Sequence, residues 1–91
     1  MALSVYLRHV NEAHSYQMQH EQQISVGDYV SAVETARAAS TSYLQAADHA
    51  QKTMPVIANF LRASSFEALA QEGIANANIQ LEQGNGIPRQ S

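Results

Sequence analysis

Residues 29–54, YVSAVETARAASTSYLQAADHAQKTM, carry Tyr29, Val33, Ala36, Ser40, Tyr43, Ala47, Ala50 and Met54 at alternating steps of four and three. That spacing puts all eight on one face of an α-helix and makes a heptad-like seam. Its centre is small, so a facing helix can come close, while Tyr29 and Tyr43 add area. Val30 and Leu44 widen the same side. The seam predicts one helix over 29–53, with Asp28 placed to cap its first turn.

Outward from this segment the pattern stays helical. Upstream, Leu3, Tyr6, Leu7, Val10, Ala13, His14 and Met18 recur at three- and four-residue steps, with Arg8, Asn11, Glu12, Ser15 and Gln19 opposite. This predicts an amphipathic helix over 2–23, joined to the next through 24–27. Downstream, Pro55 suits the first turn of a new helix. Ser64-Ser65-Phe66-Glu67 matches a capping box, so 55–63 and 65–83 read either as two helices or as one. In the second of these, Phe66, Leu69, Ala70, Ile74, Ala77 and Leu81 fall on one side. Gly73 is costly in a helix interior and marks a kink or an end, and Gly84 with Pro88 closes the helix. No run alternates with period two, so no strand is expected. The predicted fold is all-α: a small antiparallel bundle of three to four helices, one domain over 1–83, with 84–91 as a flexible tail.

The core is thin. Leu, Ile, Val and Phe make up 19 of 91 residues, while alanine alone accounts for 15. Alanine buries little area, and a chain of this length already leaves much of its surface in water. A second copy or a partner would remedy the deficit. The 27 Gln, Asn, Ser and Thr residues, against only 13 charged ones, favour this, because amides and hydroxyls are easier to desolvate than ions. The expected contact is the α-helical seam of Tyr29, Val33, Ala36, Ser40, Tyr43 and Ala47.

Charge and composition exclude several functions. The five basic residues are dispersed and the net charge is -3, so neither nucleic acid nor an anionic membrane surface is an expected partner. There is no cysteine for a disulfide, a thiolate nucleophile or a thiolate-ligated metal. No window is apolar for long enough to span a bilayer, and no secretory signal is visible. The expected location is cytoplasmic, or exported without a cleavable signal peptide.

Four histidines, at 9, 14, 20 and 49, never stand three or four apart. His9 and His20 would be about 16 Å apart along one helix, too far to share an ion. No metal and no cofactor is expected, and both histidines read as solvated. His14 falls on the apolar stripe and is the candidate for a pH-sensitive contact. No nucleophile elbow or phosphate-binding loop is present, so no catalysis is expected.

In composition the chain resembles small exported bacterial helical-hairpin proteins such as needle and inner-rod subunits. It lacks the proline-containing turn of the needle proteins between its first two helices. The expectation is a non-enzymatic interaction module of bacterial or phage type (adaptor, chaperone, immunity protein or inhibitor) that self-associates and binds another protein. The rival is a polymerising structural subunit of a secretion or filament assembly. A metal or pH sensor built on the first helix's histidines ranks behind both.

Overall fold

The computed structural model describes residues 2–83, and the side chains of 5–83. Three helices follow one another: α1 (Ala2–Ser25), α2 (Tyr29–Ala50) and α3 (Pro55–Gln83). The expected tail at 84–91 lies outside the described residues.

The α1–α2 corner is built by Gly27 and Asp28. Gly27 takes φ +80°, which suits glycine, and its amide donates to the Ile24 carbonyl at 3.1 Å. The Asp28 amide donates to the Gln23 carbonyl at 2.8 Å. Together these bonds form a Schellman ending. Asp28 also opens α2, its carboxylate accepting from the Ser31 amide at 3.4 Å. One residue closes a helix and starts the next, so α1 and α2 run antiparallel through a turn of three residues.

At the second corner α2 stops at Ala50, three residues earlier than the seam predicts. The Met54 amide still donates to the Ala50 carbonyl at 2.8 Å, and the Met54 carbonyl accepts from Ala58 at 2.9 Å. Arg62 braces the corner through the Gln51 side-chain oxygen and through Asn59 at 3.2 Å.

No fourth helix forms among the described residues, because α3 runs unbroken through Ser64-Ser65 and Gly73. The serines do not cap. Ser64 Oγ donates to the Phe60 carbonyl at 3.2 Å and Ser65 Oγ to the Arg62 carbonyl at 2.7 Å, so both hydroxyls turn back onto their own helix. Gly73 does not end the helix, and a β-carbon added there would meet nothing within 4 Å.

Helix α2 packs against both α1 and α3, which barely touch each other. The chain is therefore an open, elongated arrangement of 59 × 20 × 13 Å. Its radius of gyration is 15.7 Å, against about 12 Å for a compact domain of this length. Near the α2–α3 corner, Ala13, Tyr43, Ala46, Ala47, Ala50, Ala58 and Leu61 form one core cluster, edged by Tyr6, Val10, Met54 and Ile57. At the other end Ala32, Val33 and Ala75 form a second, with Ile24 and Ile79 against it. The largest wholly enclosed side chain is Ser65. Helix α2 meets its neighbours mostly through alanine and serine, with Val33 and Tyr43 as its large buried side chains, and α3 answers mostly with small residues, Leu61 being the large one.

Candidate interaction surface

That packing rule decides which face of α3 is left over. The buried positions are Ala58, Leu61, Ser65, Ala68 and Ala75. The large side chains that share one side by spacing are turned outward: Phe66, Leu69, Ile74 and Leu81 are all exposed, as are Val56 and Phe60. Helix α3 packs with its small face and presents its large one.

The outward residues are ordered. Val56, Phe60, Ala63 and Glu67 are followed by Ala70, Ile74, Ala77 and Leu81, again at alternating steps of four and three, and all eight are exposed. At 100° per residue their mean direction lies roughly 160° round the helix from the buried positions. Val56 is 81% exposed, Phe60 69% and Ile74 61%. Glu67 is the only charge in the row. This second seam was present in the sequence as spacing. What the sequence did not show is that α2 selects the small face for the core.

The six residues of the α2 seam are accounted for within the chain. Val33, Ala36, Ser40, Tyr43 and Ala47 are buried and Tyr29 is half-buried, under the chain's own α1 and α3. Tyr43 and Ala47 belong to one core cluster and Val33 to the other. Tyr43 also donates its hydroxyl proton to Gln17 Oε1 at 2.7 Å, tying α2 to α1. Burial, and secondarily the Glu67 carboxylate, hold its phenol above the ordinary value.

The histidines are placed differently from their sequence reading. His14 is exposed and meets Tyr43 edge-on, with ring centroids 6.3 Å apart, so it lies outside the core. His20 is the buried one. Its Nδ1 lies 2.9 Å from the Ala32 carbonyl, which can only accept, so Nδ1 carries the proton. His9 stacks on His49 across α1 and α2, with centroids 5.4 Å apart and ring planes within 12°. Its Nδ1 is 3.0 Å from Glu12 Oε1. Parallel rings present faces rather than nitrogens to one another. Among the described residues no group of three His, Asp or Glu side chains could hold a metal ion.

Between α1 and α3 lies a shallow cleft of about 280 Å³, lined by His20, Glu21, Ile24, Gln71 and Ile74. Gln71 Oε1 is buried beside it with no hydrogen-bond partner. Ile74 belongs both to this cleft and to the outward row of α3, so the two features form one continuous surface. Arg37 Nε and Glu72 Oε2, 3.1 Å apart, fasten α3 to α2 behind it.

No family model, curated protein or solved structure matches this chain. The functional reading therefore rests on the geometry. Among the described residues, no helix is long and apolar enough to cross a membrane. Among the described residues, no element covers the outward row of α3. Contiguous exposed apolar surface of this kind marks contact sites.

Proposed function

We propose that this protein is a small, non-enzymatic helical interaction module that works by presenting α3 to other protein surfaces, self-association included. One observation carries the reading: apart from Leu61, α3 buries alanine and serine, while it exposes Val56, Phe60, Phe66, Leu69, Ile74 and Leu81. A helix stabilised only by its own core would do the reverse, since burying the large residues yields more stabilisation per position, roughly 1.5–3 kcal/mol each. The short core supports the same view, because a chain whose largest enclosed side chain is a serine gains most from covering further apolar area. An adaptor, chaperone, immunity or inhibitor role fits this surface. Assembly into a polymer is the second reading, favoured by the elongated shape and the low charge, and it requires two unlike contacts per chain rather than one.

A photo-reactive amino acid at Phe60 or Ile74, compared with one at Glu34 on the exposed side of α2, tests this in cells that produce the protein. Adducts to protein, from α3 positions and not from Glu34, are expected. Equal labelling from Glu34, or no protein adduct from either α3 position, would refute the reading.

A further inference from the structure

We infer that the occupant of the α3 face is a second copy of this chain, docked antiparallel, α3 against α3, about a two-fold axis between residues 68 and 69. The inference deepens the reading above and rests on it.

The order of sizes along the row selects this arrangement. Antiparallel pairing about that axis sets each residue against the one whose number makes the sum 137. Phe60 then meets Ala77 of the second copy, Ala63 meets Ile74, and Val56 meets Leu81. Two of the three apolar layers join a large side chain to an alanine, which is how facing positions interdigitate without voids. In heptad terms each is an a position facing a d position, the layering of an antiparallel coiled coil. Glu67 faces Ala70, whose small side chain leaves the carboxylate a path to water.

A parallel pairing fails by the same test. It stacks Phe60 on Phe60 and leaves Ala63, Ala70 and Ala77 opposite themselves as gaps.

The flanks agree independently. Beside the layers, neighbours on the same flank are offset by two residues from the layer rule, so Phe66, 70% exposed, comes nearest Gly73 of the second copy, where a β-carbon would meet nothing within the chain itself. The glycine, otherwise unexplained in mid-helix, provides space for that ring. On the other flank Gln71 comes opposite Ser64 of the second copy, two uncharged residues. Neither flank carries a charge, so nothing repels a second copy there.

The seam extends over 25 residue steps, about 37 Å, and is about 10 Å wide, which covers on the order of 400 Å² on each chain. That is the lower range of specific interfaces, so the dimer is reversible, with dissociation on the order of micromolar or weaker.

The test uses the chain's lack of cysteine. Ala63→Cys chains and Ile74→Cys chains, both altered at exposed positions, are oxidised alone and mixed. The mixture is expected to give the cross-linked dimer at least tenfold faster than either alone. Ala77→Arg should abolish the cross-link and Glu67→Ala should tighten the dimer at least tenfold, helicity by circular dichroism staying unchanged in both. Cross-linking of Ala63→Cys with itself at the mixed rate would overturn the antiparallel register. A dimer indifferent to Ala77→Arg would overturn the surface. A monomer up to about 1 mM would overturn self-docking while leaving the proposed function standing, since photo-adducts from α3 would then be to other proteins alone.

Discussion

His20 on α1 and Ala32 on α2 are joined by a hydrogen bond of 2.9 Å, ring Nδ1 to backbone carbonyl, at a point where the histidine is only 6% exposed. This bond stands at the mouth of the α1–α2 turn and beside the α1–α3 cleft, so it holds the open end of the molecule together. His20→Ala removes both the bond and the ring that fills the gap, and is expected to destabilise the chain by about 2 kcal/mol. His14→Ala, at an exposed position, should cost under about 1 kcal/mol. Urea midpoints at unchanged slope measure the difference; equal effects of the two substitutions would contradict the placement of the histidines.

Tyr43 offers a test in pH. Its folded-state phenol lies above the ordinary 10.0, for reasons of burial first and Glu67 second. The fold thus favours the protonated form: this stabilisation is complete below about pH 10 and is lost as pH rises through the folded-state value. Tyr43→Phe, which also breaks the 2.7 Å bond to Gln17, should cost roughly 0.5–1.5 kcal/mol at neutral pH. Above pH 10 the gap between wild type and variant should shrink. A gap that stays constant in thermal melts from pH 8 to 11 would count against the buried phenol.

Gly73→Ala should act in two opposite ways. In dilute monomer it is expected to raise stability by roughly 0.5–1 kcal/mol, since the added methyl meets nothing and the helix gains propensity. At high concentration it should weaken self-association, because the methyl narrows the space opposite Phe66. Melting curves at two concentrations separate the effects, and a stabilisation that grows with concentration would argue against the Phe66–Gly73 contact.

Enlarging the α2 face should be harmful where enlarging the α3 face is not. Ala47 is completely buried among Tyr43, Ala50 and the facing helices. Ala47→Leu forces α2 away from its neighbours and should cost about 1–3 kcal/mol. Ala70→Leu, on the outward row, should leave monomer stability within about 0.5 kcal/mol. The reverse order in chemical denaturation would mean that core and surface have been exchanged.

Much of this architecture was legible from spacing. The α2 seam, the Asp28 cap and Pro55 at the start of α3 all follow from short-range chemistry, and the structure places them as expected. Ser64-Ser65 misled because a capping pattern and a serine bonding back to its own helix use the same residues; only the partner of the hydroxyl distinguishes them. The α2 seam was legible as a contact but not as a contact with what, since a seam of alanines serves a neighbouring helix and a second subunit equally well. The histidines were ranked by stripe membership, yet His20 sits where the turn brings Ala32 over it, a relation no window of sequence contains. Which face of α3 packs is hidden for a similar reason: its spacing aligns large apolar residues on one side, but the largely small face of α2 takes up mostly small partners.

The central claim, that α3 presents the contact surface while α2 supplies the core, is tested most directly by amide chemical shifts of the labelled protein over a dilution series, from about 1 mM to about 10 μM. Shift changes are expected at the outward row from Val56 to Leu81, strongest near Phe66 and Gly73, with the α2 seam from Val33 to Ala47 unmoved. Changes centred on the α2 seam, or none along α3 at any concentration, would contradict the account.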